Sequence, residues 1–225
     1  THTIGLVVPD LMYSFFAEVA KGLSWRVRPF GYQVVMSISD EDSRIEREEV
    51  NLLLARCVDG LVLASAQPPA SLGLFRTIEE RNVPFVLIDR KIEGLKANYV
   101  GVDDTKVGQM ATEHLIACGC RAIAHIRGPN IGTALGRLTG YRKALARHRL
   151  PAPASFITSG EADGGGSYEA MCALLTLKTR PDGVFCFNDP VAAGAVKAIL
   201  DAGLRIPDDI AVVGAGLAGA CAAAL

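Results

Sequence analysis

No stretch of this chain is apolar for the roughly 18 residues that a helix needs to cross a bilayer. Charge of one sign is not in excess either, since 23 Lys and Arg stand against 24 Asp and Glu. That balance attracts neither nucleic acid nor an anionic membrane over long range. Metal-ligand spacing is missing as well. The four histidines, His2, His114, His125 and His148, are scattered. Cys118-Gly119-Cys120 lacks the two-residue gap and the second ligand pair of a zinc site. No metal and no cofactor is therefore expected. A Gly-x-Ser-x-Gly nucleophile motif is absent, no poised acid/base pair is evident, and no catalytic residue is assigned. The chain reads as something other than an enzyme. It also lacks a leader pattern, running directly from Thr1 into the apolar residues 4–8. Six cysteines sit mostly inside apolar runs. Their spacing does not suggest a disulfide framework, and free thiols point to a reducing, cytoplasmic compartment.

What the chain does have is alternation. Short, continuously apolar runs at 3–8, 32–38, 60–64, 84–88, 98–102, 122–126, 155–158, 183–187 and 210–214 read as parallel strands buried on both faces. Helical patterns lie between them, at 14–29, 42–57, 70–81, 105–118, 136–148, 167–179 and 189–202. In the first, Phe15, Val19, Leu23 and Val27 share a face, and Pro29 is a misfit in its last turn. In the second, Asp42 or Ser43 caps the start, and Ile45, Val50, Leu53 and Leu54 point inward. Gly31, Gly119 and Gly203 close three helices. This rhythm implies a parallel α/β fold with right-handed crossovers. Such sheets bind ligands at the carboxyl ends of their strands.

The residues just after the strands form one polar set. Phe15 and Phe16 follow the first strand, Asp89 and Arg90 the fourth, Arg137 the Gly128-Pro129 turn, and Asn188 and Asp189 the strand at 183–187. Carboxylates, an amide and guanidinium groups pair with sugar hydroxyls, while aromatic rings cover the C–H faces. The competing view is that Asp89 and Asn188 only cap the segments after them, and that Phe15 and Phe16 are core.

Other features have plainer explanations. His125 lies in an apolar strand and reads as a satisfied core residue. Asp103-Asp104 begin a helix, where negative charge is favoured. Arg142, Lys143, Arg147, His148 and Arg149 read as a solvated helix face, and Trp25 as packing or interface. Gly214-Ala-Gly216-Leu-Ala-Gly219 matches a dinucleotide fingerprint, but the acidic residue required about 20 positions later has no room to follow. No DNA-reading module is visible.

Longer patterns carry a resemblance. Gly101-Val102-Asp103-Asp104, with Gly108, Ala111, His114-Leu115-Ile116, Gly119 and Arg121, is one. Ile126-Arg127-Gly128-Pro129, continued by Gly136-Arg137-Leu138-Thr139-Gly140-Tyr141, is a second. The third runs from Arg180-Pro181 through Val184-Phe185-Cys186-Phe187-Asn188-Asp189 to Arg205-Ile206-Pro207-Asp208-Asp209-Ile210-Ala211-Val212-Val213-Gly214. Together they resemble the effector-binding core of the lac-repressor family of transcription regulators. That resemblance implies a type I periplasmic-binding-protein fold of two Rossmann-like lobes, here 1–102 and 103–225, the second truncated or irregular after 214. It implies a small-molecule effector, a sugar or sugar-like compound, held by both lobes, whose closure controls DNA binding. Phe15 and Phe16 match the ring pair that contacts ligand, Asp89 and Arg90 the hydroxyl-binding pair, Arg137 the ligand-binding arginine, and Asn188 a sugar-binding amide; Asp189 is carried with them. The partners implied are a second copy of the chain and operator DNA, the latter through a headpiece expected before Thr1. Departures are expected at Ala162, where relatives place an aromatic ring, and at Ala215-Gly216-Leu217, where they place an aromatic and two Asp. The alternative is a periplasmic sugar-binding protein of a transport system, which shares fold and pocket.

Overall fold

The computed structural model describes residues 1–11, 14–68, 70–160 and 166–216. Ala162, Leu217, Gly219 and the rest of the tail lie outside the described residues. The chain divides into two units, Thr1–Val102 and Asp103–Leu225.

In the first unit, strands β1 (Thr3–Val8), β2 (Gln33–Ile38), β3 (Gly60–Leu63), β4 (Phe85–Ile88) and β5 (Asn98–Val100) alternate with helices α1 (Ser14–Val27), α2 (Ser43–Ala55) and α3 (Gly73–Glu80). The strands pair in parallel in the order β2-β1-β3-β4-β5. Because successive strand residues face opposite ways, each strand supplies two cores. Val7, Leu61, Leu63 and Leu87 pack under α2 and α3 with Leu53, Phe75 and Ile78. Leu6, Val8 and Val62 pack under α1 with Phe16.

The second unit repeats the plan with α4 (Asp104–Ala117), β6 (Ile123–Arg127), α5 (Gly132–Arg147), β7 (Ile157–Ser159), α6 (Gly166–Leu175), β8 (Gly183–Cys186), α7 (Asp189–Asp201) and β9 (Ala211–Gly214). Its parallel sheet runs β7-β6-β8-β9. Ile123, Phe185 and Val213 meet Leu115, Tyr141 and Leu145 of α4 and α5 on one face. Ala124, Ile126, Val184 and Val212 meet Met171, Leu174, Ala195 and Ile199 of α6 and α7 on the other. Both sheets are thus covered on both sides, which is why their strands are continuously apolar.

Four local expectations need correction. The first helix ends at Val27, and Pro29 belongs to a separate 3-10 turn, Arg28–Phe30, closed by Gly31 at φ 80°. That turn tolerates a proline at its start, where no N–H is needed. The segment 155–158 is a 3-10 turn, Ala154–Phe156, before a strand that begins only at Ile157. On α2 the carboxylate of Glu46 takes the inward position and is fully buried, whereas Ile45 is half-buried. Of the two readings of Trp25, packing fails and interface is left: it is 70% exposed, with the Arg26 guanidinium 5.6 Å from its ring. Among the described residues, no helix is long and apolar enough to cross a membrane.

Candidate functional site

In each sheet the strand order reverses once, between β1 and β3 and between β6 and β8. Crevices at the carboxyl ends of such strands are where open α/β sheets bind ligands. The seven residues singled out from sequence all lie at these ends or in the helices that follow, four in the first unit and three in the second.

In the first unit, Phe15 and Phe16 open α1 just past β1. Phe16 is buried in the core under that helix, while Phe15 is half-buried and meets it edge-on at 4.9 Å between centroids. One ring of the expected pair is therefore mainly core, and Phe15 is the ring with surface to offer. Asp89 follows β4 in the left-handed region, at φ 61°, a conformation that is uncommon for a residue with a side chain. Its amide donates to Val100 O at 3.0 Å, and Tyr99 Oη donates to its carbonyl at 3.0 Å. The strained backbone is thus tied at both its amide and its carbonyl.

Arg90 is buried. Its Nη1 and Nη2 donate to Glu41 Oε2 and Oε1, each at 2.6 Å, in a bidentate fork. Nη1 also reaches Ser65 O at 3.4 Å, and Nε lies 3.6 Å from Asp89 Oδ2 without forming a hydrogen bond. Burial alone would lower the pKa of this guanidinium, but hydrogen bonding and charge from Glu41, then the charges of Asp89 and Glu46, reverse that and raise it. Behind it, Gln67 Nε2 donates to Glu46 Oε2 and to Ser43 O, both at 2.8 Å, and Ala66 N donates to the same Glu46 oxygen at 3.1 Å. Glu46 Oε1 has no hydrogen-bond partner, and burial raises the pKa of this carboxyl despite those bonds. Glu41, Glu46, Ser65 and Gln67 were not anticipated. Glu46 could have been found, because it falls in register with Val50, Leu53 and Leu54 on an otherwise apolar stripe.

In the second unit Arg137 projects from α5. Its Nε donates to Asp104 Oδ1 at 3.0 Å, and its Nη1 to Phe187 O at 2.6 Å and Ala215 O at 3.2 Å. The guanidinium carbon lies 4.8 Å from the Phe187 ring centroid, a cation–π contact. Glycines make this placement possible. A Cβ at Gly108 would come 2.1 Å from Arg137 O, and one at Gly140 would come 2.0 Å from Thr105 O, so α4 and α5 cross backbone against backbone. A Cβ at Gly128 would fall 2.4 Å from the Phe187 ring. Asp103 caps α4 by accepting from Lys106 N at 3.0 Å, which makes it the helix start that was expected. Asp104, read only as part of that start, is also the ion-pair partner of the site arginine.

Asn188 acts as the N-cap of α7, its Oδ1 accepting from Val191 N at 3.0 Å. The capping explanation accounts for that oxygen and leaves the amide nitrogen for other partners. Asp189 directs its carboxylate over Gly216, whose missing Cβ would sit 1.6 Å from Oδ2. Gly216 thus has a neighbouring carboxylate folded onto it. His125 is buried and stacks on Phe185 at 4.6 Å and Tyr141 at 5.3 Å. It is satisfied at Nδ1 by Phe185 O at 2.8 Å, but its Nε2 has no partner, so the expectation of a fully satisfied histidine holds for one nitrogen only. Among the described residues no group of three His, Cys, Asp or Glu could hold a metal ion.

The sequence profile described as "Periplasmic binding proteins and sugar binding domain of LacI family" matches residues 1–221. The chain belongs to that family. The ribose operon repressor of Halalkalibacterium halodurans is 34% identical to this LacI-family chain over 94% of its length and 61% of the repressor's. The HTH-type transcriptional repressor PurR of Haemophilus influenzae is 32% identical over 95% of the chain and 63% of its own length. The chain thus spans about six-tenths of the length of the curated relatives it matches. Among solved structures, the transcriptional regulator CelR in complex with cellobiose superposes with a TM-score of 0.82 at 30% identity, covering 95% of this chain and 67% of CelR. The fold and the LacI-type effector-binding domain expected from the resemblance are borne out.

Proposed function

We propose that the whole protein is a cytoplasmic bacterial transcription repressor whose effector is a sugar, and that it is not an enzyme. The observation that carries this reading is the character of the two strand-end sets. In a LacI-type effector-binding domain, carboxylates and arginines stand past the carboxyl ends of strands in both units, with an aromatic ring after β1 and an amide after β8. Such groups match alternating hydroxyls and C–H faces. Phe15, Asp89, Arg90, Arg137, Asn188 and Asp189 are the proposed contacts, with Phe16 backing the Phe15 ring from the core. Phe15 gives ring cover, Asp89 accepts from vicinal hydroxyls, Arg137 donates through Nη2, and Asn188 donates through its amide nitrogen. CelR, which holds cellobiose, and the ribose operon repressor support the sugar class. The repressor relatives favour this reading over a transport protein of the same fold.

The proposed mechanism is a population shift. An effector changes DNA affinity only by the difference in its affinity for two arrangements of the lobes. Operator DNA would be bound by a headpiece in the whole protein, acting as a homodimer. The test is a thermal-shift and calorimetric panel of D-ribose, cellobiose and other neutral sugars on this chain. A saturating effector at a hundredfold excess over its Kd should stabilise the chain by about 2.7 kcal/mol. Arg137→Ala should weaken binding at least about tenfold, since hydrogen bonds to charged donors contribute roughly 1.5–3 kcal/mol. Unchanged affinity in that variant, with its circular dichroism spectrum intact, would remove Arg137 from the site.

A further inference from the structure

We infer that the charge class of the effector is set by Glu41 and Asp104, which neutralise Arg90 and Arg137 from within their own units and select an uncharged sugar over an acidic or phosphorylated one. This rests on the sugar-effector reading and narrows it. Two arginines among the proposed contacts would ordinarily invite a carboxylate or a phosphoryl group, because the guanidinium fork fits both. In this fold neither fork is open. Both Nη groups of Arg90 are taken by the two oxygens of Glu41 at 2.6 Å. Asp89 and Glu46 add their charges around the same guanidinium. Two carboxylates, Glu41 at 2.6 Å and Asp89 at 3.6 Å, therefore face one buried cation, and an anion brought there meets like charge.

The Glu41 carboxylate is placed there by an unusual backbone. Asp40 and Glu41 both have positive φ, 49° and 58°. They are held by Asp40 N donating to Pro9 O and Asp42 N donating to Ser39 O, each at 2.8 Å. Consecutive left-handed residues with side chains are costly and persist where the surroundings over-determine them. At Arg137, Nε is committed to Asp104 and Nη1 to two carbonyls, so the parallel donor pair that grips a carboxylate or phosphate is not available. The remaining donor suits a hydroxyl oxygen, which accepts from it and can donate its own proton to a carboxylate.

The experiment is calorimetry on the full chain with matched pairs: D-ribose against D-ribose 5-phosphate, and D-glucose against D-gluconate. Wild type should bind the neutral member of its preferred pair at least about tenfold tighter than the anionic one, as like-charge juxtaposition requires. Glu41→Gln should shrink that ratio about tenfold by freeing the Arg90 fork, and Asp104→Asn should shrink it independently. Glu41→Asp, which keeps the charge, should retain it. A wild type that prefers the anionic member, or folded Glu41→Gln and Asp104→Asn variants whose ratios stay within about twofold of wild type, overturns the inference while leaving a sugar effector standing. Failure of wild type to bind any sugar of either kind overturns the sugar reading and the inference with it.

Discussion

Single residues in this chain are legible when they sit in a pattern and illegible when their partner is distant. Asp42, Asp103 and Asn188 cap helices because a short polar acceptor just before a helical stripe meets the orphan N–H groups of the first turn. Glu41, by contrast, pairs with a residue 49 positions away, and no local rule points to it. His125 gives a test at this scale. Burial first, then the charges of Arg127, Arg137 and Arg142, lower its pKa from 6.5 to about 4, against the opposing bond to Phe185 O. Above pH 6.5 it is neutral in both the folded and the unfolded chain. As pH falls from 6.5 to about 4 the unfolded chain gains a proton that the folded chain refuses, so stability falls through that window. At about 1.36 kcal/mol per pH unit the loss is ~3 kcal/mol. His125→Phe, which keeps the stack, should remove that part of the slope. Urea unfolding of wild type and variant at pH 7 and pH 4.5 checks it, and parallel losses in the two proteins would mean that His125 contributes nothing.

Between elements, the crossing of α4 and α5 decides where the second unit's arginine points. The sequence pattern contains Gly108, Gly136 and Gly140, and the fold supplies their reason: at each, a Cβ would lie within 3 Å of the facing helix. The crossing brings Asp104 of α4 to Arg137 of α5, and the Phe187 ring, admitted by Gly128, supports the guanidinium. Gly140→Ala should therefore destabilise the chain by about 2 kcal/mol or more, because the obstruction is backbone and not a flexible side-chain tip. Gly22→Ala, in α1 with nothing within 4 Å of the added carbon, should stabilise by about 0.5–1 kcal/mol. Denaturant midpoints of the two variants measure both, and equal effects would refute the close crossing.

For the molecule as a whole, the family carries an expectation of self-association. Trp25 is 70% exposed and Phe30 77% exposed, both on the first unit, with Met36 of the edge strand β2 at 40%. Exposed apolar side chains mark an interaction site where they gather into one patch. The chain should sediment as a homodimer at micromolar concentration, through a self-complementary patch about a two-fold axis. A monomer in analytical ultracentrifugation would count against a dimeric repressor and favour a solute-binding protein.

The sequence by itself determined the parallel α/β class, nearly every strand and helix, and the strand ends as the place to look. Burial on both faces forces continuous apolar strands, and helix starts and stops obey local chemistry. Long motifs carried the family. Tertiary structure alone decided the state of the site: that Phe16 is core, that Asn188 spends its oxygen on a cap, and that Arg90 and Arg137 arrive already paired. Those outcomes depend on which side chains the parallel crossovers bring together from distant segments. Hydrogen-bond geometry between residues 33 or 49 positions apart has no signature along the chain.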